Sequence, residues 1–192
     1  TLAMMSLLGA LTLIISGNKT IASERLFEIT QIARFKVFGV TAPVMYLMVV
    51  AVILWILLEH TATGRYIYAI GFSQDTARLS GIKTDRIRFM CFLLSAAVSG
   101  FAGVVLTARI TVGSPTIGPP FLLPAFAAAF VGATQLRGGR FNVWGTLIAV
   151  FLICTGNTGL ALSGQPLWSP QVFVGVTLIV AIGLTGVKRR VV

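Results

Sequence analysis

The side chains that could move protons, hold a metal or attack a substrate are few and scattered. The carboxylates are Glu24, Glu28, Glu59, Asp75 and Asp85; the only histidine is His60, and the cysteines are Cys91 and Cys154. Their spacing matches neither a metal site nor a disulfide framework. No nucleophile–base pair is visible, and no G-x-x-x-x-G-K-[ST] loop is present to cradle nucleotide phosphates. His60 adjoins Glu59 at the edge of an apolar run, where an ordinary polar residue is a simpler reading than a proton switch. The chain is therefore expected to be no enzyme and to hold no metal or cofactor. The polar side chains left at or near apolar sequence are uncharged: Thr134, Gln135, Thr155, Asn157 and Thr158. Hydroxyls and amides of this kind bond either to a neutral polar ligand or to neighbouring helices.

The elements that must position these residues follow from hydropathy. The 192 residues are 56% hydrophobic and 10% charged, with a mean hydropathy of +0.94; an ordinary soluble domain carries about 25% charged residues. Such a chain cannot cover a water-soluble surface, which excludes a soluble globular enzyme and a disordered segment. Runs without Asp, Glu, Lys or Arg cover 1–18, 37–58, 89–108, 110–136 and 141–187, to be compared with the roughly 20 residues that cross a bilayer core. The fourth run opens on Gly113, Pro115, Gly118, Pro119 and Pro120, leaving about 121–136 for a short, tilted or partly re-entrant segment. The last run is too long for one span and breaks at SGQPLWSP (163–170) into about 142–161 and 168–187. The expected fold is all-α, a polytopic transmembrane helical domain of about six membrane segments, one short or re-entrant, in a single domain over 1–192. The chain has neither an initiator Met nor the basic start and cleavage site of a signal peptide. It opens inside an apolar run, so we read it as the C-terminal part of a longer membrane protein.

The net charge of +10 resolves into topology. With the C-terminal Lys188–Arg190 cytoplasmic, the inside also receives Arg65, Arg78, Lys83, Arg86, Arg88, Arg137 and Arg140. The outside receives Lys19, Arg25, Arg34, Lys36 and Arg109. This orientation follows the positive-inside rule, and its inverse violates it. No basic stripe with interleaved aromatics lies outside the loops, so nucleic acid is not an expected partner. Trp55, Tyr66, Tyr68, Trp144 and Trp168 fall near span ends, where aromatic rings anchor at the interface. Two small-residue stripes, Ser95–Ser99–Gly103 and Ala125–Ala129–Ala133, would let helix backbones approach closely.

The stretch between the second and third runs, residues 60–85, is the most informative. Ser73 can cap a short helix over about 74–80, with Asp75 in its first turn, Arg78 in its last and Gly81 placed to end it. Ala77, Leu79 and Ile82 would form a small apolar surface. A capped helix between two spans is either a docking element or a solvated connector.

The string GRYIYAIGFSQDTARLSGIKTDRIRFMCFLLSAAVSGFAGVVLTAR resembles the cytoplasmic loop and following span of ribose-type permease subunits of ABC importers. The matching residues are Gly64-Arg65, Ala69-Ile70-Gly71, Ala77 with Gly81-Ile82, and Ala108-Arg109. Further on, Ser114-Pro115-Thr116, Gly118, Val131-Gly132, Thr134, Gly138-Gly139-Arg140, Gly145-Thr146, Asn157, Gly159-Leu160 and Gly164 keep the family's order. Leu122, Leu123 and Pro124 stand in a segment where many relatives carry an acid, and the turn reads G-A-T-Q where many have G-G-T-S.

The resemblance implies a bacterial inner-membrane importer with a cytoplasmic C-terminus. Its permease would pair with a second, identical or different, permease subunit and with two cytoplasmic ATPases that carry ATP and Mg²⁺. A periplasmic binding protein would deliver the solute. The helix near 74–80 resembles the coupling helix that docks in the ATPase, which assigns Gly64, Arg65, Gly71, Ser73, Asp75, Ala77, Arg78 and Gly81 to that loop. Arg65 and Arg78 would meet acids of the ATPase or lipid phosphates. Arg34, Lys36 and Arg109 would meet the binding protein or snorkel to headgroups, and the outer segment 17–41 has Leu26, Ile29 and Ile32 at helical spacing. A neutral polyol path would use Thr134, Gln135, Thr155, Asn157 and Thr158, which otherwise bond between helices. The implied substrate is a monosaccharide or similar polyol; the alternatives are branched-chain amino acids or nucleosides, or a passive channel or secondary carrier.

Overall fold

The computed structural model describes residues 2–20, 36–37, 40–135, 141–166 and 168–189. Side-chain environments are described for 3–20, 41–133, 141–166 and 168–183. The helices are α1 (Leu2–Ser16), α2 (Ala42–His60), α3 (Ala62–Phe72), α4 (Gln74–Leu79), α5 (Thr84–Ile110), α6 (Leu122–Gln135), α7 (Val143–Leu162) and α8 (Ser169–Arg189). A single 3₁₀ turn, Pro119–Phe121, leads into α6. The two short strands β1 (Lys36–Val37) and β2 (Val40–Thr41) pair antiparallel ahead of α2.

The apolar runs become helices where expected. Among the described residues three helices, α2, α5 and α7, are long and apolar enough to cross a membrane; at 1.5 Å per residue they measure about 28, 40 and 30 Å. Shorter apolar stretches occupy Ala3–Ser16, Pro119–Ala133 and Ser169–Gly183. The helix after the Gly/Pro cluster has 14 residues, about 21 Å, and is short as the breakers require. The ends have local causes. Pro43 sits in the first turn of α2, where its missing N–H costs nothing. Gly17, with φ +58, closes α1 as Asn18 N donates to Leu13 O and Gly17 N to Ile14 O.

The chain divides into two compact units, Thr1–Gly118 and Pro119–Val192. In the first, α2 meets α5 through the edge-to-face pair Tyr46–Phe101, centroids 5.7 Å apart. In the second, α6 packs against both α7 and α8. Its core is Ala127, Ala128, Ala149, Ile153 and Val174, ringed by Val131, Val150, Phe173 and Leu178. Small residues on α6 bring the helix axes close, and the branched chains fill the space around them.

The two small-residue stripes fare differently: Ala133 of the second is fully buried and Ala129 half-buried. Ser95, Ser99 and Gly103 are exposed in this chain, and a Cβ added at Gly103 would meet nothing within 4 Å. On α6 the buried row is Ala127, Ala128, Gly132 and Ala133, while Ala125 is exposed. The helix is rotated so that the side facing α7 and α8 includes the glycine.

The expected surface segment with Leu26, Ile29 and Ile32, and the residues Glu24, Arg25, Glu28, Arg34, Arg137, Gly138, Gly139, Arg140 and Arg190, lie outside the described residues. So do the side chains of Lys36, Thr134, Gln135, Lys188 and Arg189.

Candidate functional site: the helical connector and the glycine contact

The stretch after α2 is more helical than the sequence reading, which saw one short helix in residues 60–85. Only Thr61 separates α2 from α3. Its backbone is extended (φ −107°, ψ 158°), which breaks the helix. Its Oγ1 accepts from Gly64 N at 3.2 Å and donates to Leu57 O at 2.6 Å, so one hydroxyl serves an end of each helix. Gly64 is buried at this elbow, and a Cβ there would fall 2.6 Å from Leu57 O and closer still to Leu58 O. The Gly-Arg motif thus has a steric cause that local sequence could not reveal, because the clash comes from the preceding helix.

Ser73 separates α3 from α4 and serves both. Its N–H donates to Ala69 O at 3.1 Å, closing α3, and its Oγ accepts from Thr76 N at 3.3 Å, opening α4. Asp75 lies in the first turn of α4 and Arg78 in the last, each at the end of the helix dipole that suits its charge. Helix α4 ends in a Schellman arrangement. Ile82 N donates to Ala77 O, Gly81 N donates to Arg78 O, and Gly81 takes φ +80, a conformation cheap only for glycine. The sequence expected a helix over 74–80; the structure makes Ser80 its cap.

The expected apolar surface of α4 is split. Ala77 is buried at 4% exposure, so its face is turned inward, whereas Leu79 is 89% exposed. Asp75, Thr76 and Arg78 are exposed beside it. A contact that sequence reasoning missed holds α4 to the next span: Arg88 Nη2 donates to Gln74 Oε1 at 2.7 Å. Fourteen residues separate the partners, and no local pattern joins them. Helix α4 is thus small, capped at both ends, tied to α5 by one side-chain bond, and shows one exposed leucine among charged residues.

The second constellation lies between α6 and α7. Asn142, 8% exposed, caps α7: its Oδ1 accepts from Gly145 N at 2.6 Å, and its Nδ2 donates across to Gly132 O of α6 at 3.4 Å. A Cβ at Gly132 would lie 2.6 Å from Gly145 C and Thr146 Cα. A Cβ at Gly145 would lie 2.8 Å from Asn142 Oδ1 and closer still to Gly132 O. The Val-Gly and Gly-Thr motifs are thus two sides of one backbone contact. Asn142 was not singled out from sequence, although an Asn immediately ahead of an apolar run is a helix-start signal.

Of the expected path residues, three on α7 have described side chains. Thr155 and Thr158 are exposed, and the Thr158 hydroxyl donates to Cys154 O at 2.8 Å within its own helix. Asn157 is half-buried, and its Oδ1 is shielded from solvent without a partner. Thr134 and Gln135 are in the last turn of α6. Arg109 is exposed in the last turn of α5. His60 is exposed, its ring set edge-on to Trp55 with centroids 4.7 Å apart.

This chain, a predominantly helical membrane domain with a capped connector helix between two apolar helices long enough to span, belongs to the family described as branched-chain amino acid transport system / permease component, whose model matches residues 1–182. It is similar to the ribose import permease protein of Bacillus subtilis, at 37% identity over 183 residues, 95% of this chain and 57% of the relative. The ribose import permease protein of Escherichia coli K12 is 31% identical over 192 residues, 98% of this chain and 60% of that one. The D-allose transport system permease protein of the same organism is 32% identical over 184 residues, 96% of this chain and 56% of the relative. The chain thus spans somewhat over half the length of these curated relatives. No solved structure matches it.

Proposed function

We propose that this chain forms part of the translocation path of an ATP-driven importer for a monosaccharide or similar polyol. The observation that carries the reading is the similarity, over nearly the whole chain, to permeases named for ribose and allose. The geometry of α4 supports the coupling step. Ser73 and Gly81 hold the helix rigid, Leu79 is the apolar contact a cytoplasmic ATPase would grip, and the Gln74–Arg88 bond carries the motion into α5. The ATPase supplies ATP, Mg²⁺ and the hydrolysis, and this chain converts closure of the nucleotide sites into rigid-body movement of spans. A second permease subunit and a periplasmic binding protein complete the assembly in the inner membrane, with the C-terminus cytoplasmic. Glu59, Asp75 and Asp85 sit at or near helix ends, which favours this reading over an ion-coupled carrier with carboxylates at membrane depth.

The test is reconstitution of the full-length protein with its ATPase and binding protein, measuring solute-stimulated ATP hydrolysis. Ribose, allose or a related sugar should stimulate; deletion of 74–80 should abolish the stimulation, and Leu79→Ser should reduce it at least about tenfold, the effect of one buried interface anchor. Solute uptake without the ATPase would overturn the importer reading in favour of a channel or carrier. The family description supports a second substrate class, and stimulation by leucine, isoleucine or valine but by no sugar would establish that class instead.

A further inference from the structure

Within α7 and α8, Thr146, Thr158 and Thr177 each donate to the carbonyl four residues earlier, at 3.0, 2.8 and 2.7 Å. Two polar atoms are left out. Asn157 Oδ1 and Ser169 Oγ are each shielded to below 1 Å² and have no hydrogen-bond partner among the described residues. Ser169 is the first residue of α8, so no helical carbonyl lies four residues behind it. Both belong to one end of the second unit. Ile153 of α7 and Val174 of α8 share the apolar core, with Phe173 packed against it. Asn157 stands one turn beyond Ile153, and Ser169 one turn before Phe173. Between them the helices meet closely: a Cβ at Gly156 would lie 2.5 Å from Phe173 Cζ. Asn157 and Ser169 are thus each within about 6 Å, one helical turn, along the axes from a single α7–α8 contact. Buried polar atoms without partners cost stability, and in native proteins such groups mark a functional site or a missing ligand.

We propose that Asn157 and Ser169 together bind one hydroxyl group of the transported solute, and that in the described conformation α7 and α8 are closed over them. The assignment rests on the importer reading and narrows its substrate. Asn157 Oδ1 only accepts, whereas Ser169 Oγ both accepts and donates. A neutral O–H that donates to the amide and accepts from the serine satisfies both. A zwitterionic amino acid finds no opposite charge there, because residues 141–187 contain no Asp, Glu, Lys or Arg; its ammonium and carboxylate would be left unpaired. The pair therefore favours a sugar or polyol over leucine, isoleucine and valine. Solute binding relieves the cost of two unbonded polar atoms, so the site gains its hydrogen bonds only when the helices part to admit the ligand.

The test uses the full-length protein in liposomes with its ATPase and binding protein. Uptake of D-ribose and D-allose is measured for wild type, Asn157→Leu, Ser169→Ala and the double variant. Each single variant should lower uptake about fivefold, the factor for one neutral hydrogen bond. The double variant should lose less than the product of the two, because both groups hold the same hydroxyl. Thermal unfolding without solute should give midpoints at or above the wild-type value, since each substitution removes a polar atom that has no partner. A helix-bonding role predicts the reverse, so lowered midpoints in both single variants would overturn the proposal. Undiminished uptake in either single variant, or a loss in the double variant equal to the product, would overturn the shared site. Sugar uptake that persists without the ATPase would remove the importer reading and leave the comparison of variants intact. Wild-type uptake of no sugar would overturn both.

Discussion

The α3–α4 connector and the α6–α7 contact both depend on glycines that the family motifs mark, yet the two regions use them in opposite ways. In the connector, order comes from hydrogen bonds between residues close in sequence: Ser73 with Thr76, Thr61 with Gly64, and Gly81 with Arg78. The side chains between are mostly exposed. At the α6–α7 contact, order comes from two backbones that touch across a gap in sequence, with Asn142 bonding to both sides. There the side chains are absent or buried. A local motif can be re-formed after movement, whereas a backbone contact at this distance makes two helices a single rigid piece.

The strongest way to break that contrast is at Gly132. Gly132→Ala puts a Cβ against backbone atoms that cannot swing away, and should destabilise the protein by about 3 kcal/mol, the upper part of the overpacking range. Thermal unfolding in detergent should show it, and an unchanged midpoint would refute the close contact. Asn142→Ala comes next. It removes the cap and leaves the Gly145 N–H without its buried acceptor, a loss of about 2 kcal/mol.

Effects in the connector should be smaller and local. Gly81→Ala forces a residue with a Cβ into a left-handed conformation, at a cost of about 1 kcal/mol. Amide exchange should quicken over 77–82 while the global midpoint stays nearly fixed. The smallest effect should have the opposite sign. Gly103→Ala lies within α5 where the added methyl meets nothing, and should stabilise the helix by about 0.5 kcal/mol. If Gly103→Ala instead abolishes assembly with a second permease subunit, the exposed stripe is a subunit seam.

Much of this was legible in the amino-acid sequence because it rests on short-range physics. Charge-free runs predicted the apolar helices, and the Gly/Pro cluster at 113–120 predicted a short α6. Ser73, Asp75, Arg78 and Gly81 predicted α4 to within a residue. Helix α3 was not foreseen because its start depends on Thr61 bonding back to Leu57, and because Tyr66, Tyr68 and Phe72 do not mark a boundary. The exposure of Leu79 against the burial of Ala77 was likewise hidden, since the rotation of a two-turn helix is set by what lies beneath it.

The sequence by itself therefore determined where the long apolar helices and the capped α4 lie, and the order of motifs that places the chain in its family. Hydropathy, capping and backbone preference act over a few residues, and those residues are adjacent in the chain. Only the tertiary structure decided which glycines matter for packing and which small-residue row faces inward. It also decided that Asn142 joins two helices and Arg88 holds α4. Each of those depends on distances between atoms far apart in sequence, which hydropathy and local preference do not specify.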